Sequence, residues 1–332
     1  MRCRLPRRML EYGLTVWVIV TLNFALPRLM PGDPFLYLSA DQGDEVARFS
    51  QAQQDYYHSQ YGLDRPLGIQ YAAYLGALLK ADLGYSIYYN QNVTVLLLRR
   101  LPWTLLLVSA AVVLSTLAGC LLGSLSAHQR GRWGDRWLYP LMIAVSEIPA
   151  FLLGLVLLFW LAAAWRLFPL SGAMTHFAMY NSSWEKLLDI LRHAALPVLT
   201  LTLVRTGGMY LLARNSMAAV LTRDYMRTAR AKGLHRLRIL ARHSLRNAML
   251  PIVTRIFLSL GGLVGGAILV ENVFAYPGLG RLMREAVLIH DYPMVQGIFL
   301  LVTLSVLSAN YLADGIYARL DPRIQAGDAG AP

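Results

Sequence analysis

Cysteine is almost missing from this sequence: Cys3 and Cys120 are the only two among 332 residues. Two thiols build neither a disulfide framework nor a CxxC metal pair. Cys120 lies in an apolar run, where a small packing residue is expected. Charge is scarce as well. Asp, Glu, Lys and Arg make up 15% of the chain, against about 25% in ordinary soluble domains. Motifs that carry chemistry are also lacking. No GxxxxGK[ST] loop is present to cradle ATP, no HExxH, and no GxSxG elbow. The seven histidines (His58, His128, His176, His193, His235, His243 and His290) are scattered without metal-ligand spacing. These absences leave no support for a soluble enzyme, an ATPase or an intramembrane hydrolase.

What is present is apolar and arranged in long runs. Hydrophobic residues account for 56% of the chain, and a bilayer core of about 30 Å needs roughly 20 of them in helix. Six stretches qualify: 9–30, 101–127, 137–165, 194–212, 249–270 and 294–311. Pro149, Pro197 and Pro251 fall in or beside them, as membrane helices tolerate. The first run has a basic start but no A-x-A cleavage site before Pro31, so it is expected to stay as an anchor rather than leave as a signal peptide. The formal charge of +12 sits mainly between the runs, which argues against a nucleic-acid patch. Arg2, Arg4, Arg7 and Arg8 precede the first run. Arg130, Arg132 and Arg136 follow the second, and Arg319 and Arg323 follow the sixth. The segment 214–248, between the fourth and fifth runs, carries nine Lys and Arg against one acid, Asp224. Excess Lys and Arg mark the cytoplasmic side. With six spans all four basic segments share that side, and both termini are expected inside.

The reading divides the chain into a cytoplasmic tail and first helix at 1–30, an external segment at 31–98, a helical core at 99–318 and a cytoplasmic tail at 319–332. The external segment opens on Pro31-Gly32-Asp33-Pro34, which stops a helix, and holds nine tyrosines. Tyrosine suits a membrane interface. Leu67, Tyr71, Tyr74, Leu75 and Leu78 recur at helical spacing and predict a short amphipathic helix. A cap over the spans and a docking surface for an external partner fit this segment equally.

Polar groups inside spans are costly and mark candidate functional positions. Here they are Glu147, Arg205, Arg255, Glu271, Asn310 and Asp314. The pathway candidates are Glu147, Arg205 and Glu271. Glu147 precedes Ile148-Pro149, and three roles suit it: lining a pathway, pairing with Arg205, or bonding backbone freed by the proline. Small residues at four-residue spacing, Gly119/Gly123, Gly261/Gly265 and Gly262/Gly266, point to close helix packing. For the fifth run a subunit interface is also open.

The basic segment has internal order. Met226, Ala229 and Lys232 share a helical face, Gly233 ends or bends that helix, and Leu234, Leu237, Leu240 and Ala241 line a second one. On composition alone, contact with anionic lipid would explain it. The order Tyr225-Met226-Arg227-Thr228-Ala229-Arg230-Ala231-Lys232-Gly233-Leu234, with Arg242-His243 and Asn247-Ala248 downstream, resembles the "EAA" loop of ABC importer permeases. It is most similar to the inner-membrane subunits of dipeptide, oligopeptide and nickel importers. The resemblance covers nearly the whole chain. Its other marks are Pro31-Gly32-Asp33-Pro34, Tyr61-Gly62-Leu63-Asp64-Arg65-Pro66 with Gln70-Tyr71, and Asp82-Leu83-Gly84-Tyr85-Ser86. Later marks are Glu271-Asn272-Val273-Phe274, Pro277-Gly278-Leu279-Gly280-Arg281 and Asp291-Tyr292-Pro293.

The resemblance implies an all-α integral membrane protein of the type I ABC importer permease fold, with six transmembrane helices. It implies a multi-pass protein of the bacterial inner membrane. Residues Tyr225 to Leu234 would form the coupling helix that docks on a cytoplasmic ATPase. The implied partners are a second homologous permease, two ABC ATPases that bind ATP and Mg, and an external substrate-binding protein. No cofactor is then expected on this chain, and no enzymatic activity. Arg227-Thr228-Ala229 stands where the general pattern has Glu-Ala-Ala, which leaves Arg227 to pair with an acid on the ATPase. Arg246 stands where the pattern has proline. Peptides, nickel or metal chelates, glutathione and sugars all suit relatives with such loops. A secondary transporter would need internal repeats and deep ion-coupling groups; no repeat is evident, and deep ionisable residues are few. A membrane assembly protein is the remaining alternative.

Overall fold

The structure, a computed structural model, describes residues 4–29, 64–224, 226, 231–232 and 246–320. Helices occupy all six apolar runs: α1 (Arg4–Leu29), α2 (Leu67–Leu79), α3 (Val93–His128), α4 (Trp133–Glu147), α5 (Ala150–Leu157) with a π-helical continuation (Leu158–Ala164), α6 (Ser183–Leu221), α7 (Arg246–Val273), α8 (Leu279–Leu288) and α9 (Tyr292–Leu320). Among the described residues, α3, α6 and α9 are each long and apolar enough to cross a membrane. The α4 and α5–π pair makes a fourth span if counted as one. The expected count of six is thus not reached on these criteria, although α1 and α7 are helical where the first and fifth spans were placed.

The third run differs most from expectation. Read as one helix, it is instead bent by 98°. Pro149 is the physical reason: it lacks an N–H to continue the ladder and drives the residue before it out of the helical region. Ile148 accordingly takes an extended conformation (φ −71°, ψ 124°). The Pro149 carbonyl then starts the next helix by accepting from Leu152 and Leu153. Two helices begin earlier than the hydrophobic runs suggested. α3 starts at Val93 rather than in the low 100s, inside the stretch assigned to the external segment. α6 starts at Ser183 because Ser182 caps it, accepting from the Glu185 N–H at 3.2 Å, while the Glu185 carboxylate reaches back to Asn181 N. This is a reciprocal N-terminal box in all but register. At its other end α6 continues to Leu221, so the first residues of the basic segment 214–248 are helical.

The chain divides into two compact units. In the unit formed by 1–102 and 281–304, α2 lies on α1 through polar contacts. Asn23 Nδ2 donates to the Tyr74 hydroxyl (3.0 Å), Thr21 and Tyr71 hydroxyls share a bond of 2.7 Å, and Arg28 donates twice to Gln70 Oε1 (3.0 and 2.9 Å). The Tyr71 and Phe24 rings meet edge to face. The predicted short helix therefore exists, apolar along its length rather than on one face, and Tyr71 and Tyr74 turn toward α1. Asp291 gathers the motif around Ser86. It accepts from the Ser86 hydroxyl and from the Tyr88 and Met294 amides.

In the unit formed by 103–280 and 305–332, the core joins Leu107, Val108 and Ala111 of α3 to Leu196 and Leu201 of α6 and to Val270 and Phe274 at the end of α7. Gly119 and Gly123 let α3 close on α6. A Cβ on Gly119 would stand 2.5 Å from Met209 Cβ, and one on Gly123 2.6 Å from the Tyr210 carbonyl oxygen. The packing role expected of this pair is therefore what the backbone requires. The side chains at 260–266, and with them the second and third small-residue pairs, lie outside the described residues.

Candidate functional site

Three polar arrangements stand out in this second unit, and α6 takes part in two of them. The first is a cavity of about 360 Å³ lined by α3, α4, α6 and α7. Glu147, at the end of α4, enters its lining because the Pro149 break stops the helix there. Arg205 enters from α6 and Arg255 from α7, with Ser115, Thr116, Ser146 and Ser259 between them. The Ser115 and Ser146 hydroxyls are satisfied by their own helices. The Thr116 hydroxyl is buried without a partner among the described residues. Two of the three pathway candidates thus share one cavity. No ion pair joins Glu147 to Arg205 among the described residues, so the expected alternative of a direct pair is not what the side chains do.

The third candidate, Glu271, lines no part of that cavity. It is fully buried near the end of α7, where its carboxylate accepts from Thr104 Oγ1 (2.6 Å) and from Gly280 N (2.6 Å). Thr104 Oγ1 in turn accepts from Leu279 N at 2.8 Å. The carboxylate therefore closes the N-terminus of α8, where unpaired N–H groups favour an anion. Gly278 and Gly280 are required by proximity: a Cβ on Gly278 would lie 2.3 Å from Glu271 Cδ, and one on Gly280 2.3 Å from Ile268 Cα. The stretch from Glu271 to Gly280 thus folds back on its own carboxylate.

The third arrangement was not foreseen. Arg214 donates from Nε to Asp135 Oδ1 and from Nη2 to Asp135 Oδ2, each at 3.0 Å. Nε also donates to Ser126 Oγ (3.0 Å), which shares a bond of 2.7 Å with the Tyr210 hydroxyl and donates to Asp135. Gly131, at φ +81°, turns its amide onto Asp135 Oδ2 (3.0 Å). The guanidinium lies 4.8 Å from the centroid of Tyr139. This fork binds the end of α3, the start of α4 and α6 into one clamp. The sequence counted Arg214 as a loop charge and passed over Asp135 as a lone acid among Arg130, Arg132 and Arg136. The available signal was that lone acid at the first turn of a span.

Arg205 and Arg214 are nine residues apart on α6, which amounts to about 14 Å of rise and two and a half turns. They therefore leave α6 on opposite faces, one toward the cavity and one toward the clamp. Beyond the clamp α6 ends near Thr222, and Met226 folds back as a turn that donates from its amide to the Arg223 carbonyl. Met226 is fully buried against Val220 and Leu221, which also cover Met217 and Ala127. Ala231 and Lys232 are exposed. Tyr225, Arg227, Thr228, Ala229, Arg230, Gly233 and Leu234 lie outside the described residues. Among the described residues no cluster of His, Cys, Asp and Glu has the makings of a metal site.

The family of binding-protein-dependent transport system inner membrane components matches residues 119–326. The dipeptide transport system permease protein of Escherichia coli K12 is 35% identical over 323 residues, covering 92% of this chain and 94% of its own. The glutathione transport system permease protein of Salmonella typhimurium is 35% identical over 321 residues, covering 96% and 97%. Among solved structures, a chain of the MetNI methionine ABC transporter superposes with a TM-score of 0.55 at 18% identity, over 69% of this chain and 97% of that one. That likeness establishes the fold. With the family match and relatives of nearly full length, the chain belongs to the family of binding-protein-dependent transport system inner membrane components.

Proposed function

We propose that this chain is a permease subunit of an ATP-driven importer for short peptides or peptide-like solutes. A second permease would complete the pathway, two cytoplasmic ATPases would bind ATP and Mg, and an external binding protein would deliver substrate. The observation that carries this reading is the family match over 119–326, joined to near-full-length relatives named for dipeptide and glutathione transport. Six spans, both termini in the cytoplasm and an external segment between α1 and α3 belong to the same reading, as does the absence of a cofactor on this chain.

The coupling element in this reading is Tyr225 to Leu234. What supports it is that Met226 is buried against Val220 and Leu221, and the Asp135–Arg214 fork ties α6 to α3 and α4 about two turns before Leu221. A force applied to the segment by an ATPase would then reach α3, α4 and α6 as one block, and these three helices, with α7, line the cavity. A lever of this kind needs a rigid attachment, which a buried bidentate pair supplies. Replacement of Gly233 by Trp is expected to leave the assembled complex intact and to abolish ATP-coupled uptake. Wild-type uptake in that variant would remove the coupling role.

A further inference from the structure

We infer that Arg205 and Arg255 form a carboxylate-binding subsite, and that the cavity they share holds a short peptide by its C-terminal carboxylate with Glu147 facing the amino group. This rests on the importer reading above and adds to it a substrate contact within this chain. Three observations point the same way. Arg205 and Arg255 come from different helices, α6 and α7, yet line one cavity. They are two cations against one acid, Glu147, so the lining carries one unbalanced positive charge in a span region where such a charge is costly. A ligand carboxylate balances it, and the planar guanidinium fork matches a carboxylate with two parallel bonds. The buried Thr116 hydroxyl has no partner among the described residues, as expected of a group that awaits a ligand atom.

Size and sign narrow the ligand. A volume of about 360 Å³ lies at the low end of the range of roughly 300–1,000 Å³ for small-molecule sites, which suits a di- or tripeptide rather than a long chain. Glu147 opposes a doubly charged anion and favours a ligand with an ammonium at its other end. A lipid phosphate shares the affinity for the arginine pair but offers no reason for the acid.

The test uses the complete transporter complex in lipid nanodiscs without its external binding protein, so that selectivity belongs to the membrane subunits. Binding of labelled Ala-Ala is measured in competition with unlabelled Ala-Ala, its C-terminal amide and inorganic phosphate. The wild-type complex is expected to prefer the free acid over the amide by tenfold or more, since one charge-assisted pair is lost. Arg205→Gln and Arg255→Gln are each expected to bring that ratio near one, and the Lys variants to keep part of it. Equal binding of acid and amide by wild type, no binding of either, displacement by phosphate alone, or an unchanged ratio in assembled Gln variants would each overturn the subsite. Uptake of the same peptides by wild type with ATP and binding protein is measured in parallel. Uptake without the acid preference sinks the subsite only, whereas no uptake of any peptide sinks the importer reading.

Discussion

Breaking the Asp135–Arg214 fork should uncouple the transporter before it unfolds it. Both side chains are largely buried, with 6% of Asp135 and 13% of Arg214 exposed. Arg214→Gln leaves Asp135 charged and buried, with Ser126 and Gly131 as its only remaining donors in the fork. Removal of one partner of such a pair costs about 3–5 kcal/mol. For a domain of 150–250 residues each kcal/mol shifts Tm by about 2–4 °C, so a fall on the order of 6–20 °C is expected. The double variant Asp135→Leu/Arg214→Met removes both charges and should recover most of that loss, because a buried pair contributes little net stability over apolar packing. Coupling should not recover with it. The fork fixes one geometry between α4 and α6, whereas Leu and Met do not. The assay is a thermal-shift measurement on the purified complex beside ATPase turnover and peptide uptake on the same preparation. The double variant is expected to melt near wild type while hydrolysing more ATP per peptide imported. Full recovery of both stability and coupling would refute the transmission role, and an Arg214→Gln variant with wild-type Tm would refute the clamp itself.

Other outcomes follow from single close approaches. Glu271→Ala leaves Thr104 Oγ1 and Gly280 N without their buried acceptor, and should lower stability by about 2–6 kcal/mol at 1–3 kcal/mol per orphaned group, seen as a large loss of folded protein in detergent. Gly123→Leu should prevent α3 from closing on α6 and abolish the folded complex, while Gly76→Ala, with nothing within 4 Å of the added Cβ, should be neutral or gain up to about 1 kcal/mol as a helix-interior change. Burial pushes the Asp291 carboxyl above its usual range, against the opposing bonds from Ser86 and the backbone. Its contribution to stability is then full at pH below the ordinary carboxylate range and is lost as pH rises through the raised folded value. Tm of wild type should therefore rise on acidification relative to Asp291→Asn, and parallel pH profiles of the two proteins would contradict this.

The membrane class and the helical runs were legible because each apolar stretch exceeds what a soluble core needs. So were the motifs now seen in contact, such as Ser86 with Asp291 and Glu271 with Gly278 and Gly280, although only as marks of resemblance and not as pairs. Ser86 and Asp291, 205 positions apart, give no local signal of their meeting. The bend at Pro149 was foreshadowed by the proline but not its size, because α3 and α6 continue as helix past Pro102 and Pro197, as membrane helices tolerate. Glu147 and Arg205 were singled out by cost, and they do line one cavity. Glu271, singled out by the same rule, holds its carboxylate at the start of α8, and burial cost alone does not say which of these positions a polar residue takes. Asp135 was hidden by its basic neighbours, and Arg214 by a helix that runs to Leu221, past the point where hydropathy fades.

In the function proposed above, this chain moves solute only as part of an ATP-driven assembly. This is tested most directly by reconstituting the chain into proteoliposomes alone and with its co-purifying permease, ATPases and binding protein, then following labelled peptide. Accumulation is expected only in the full assembly, with ATP and with binding protein on the opposite face. Accumulation by the lone chain under an ion gradient would contradict it and would make the protein a secondary carrier.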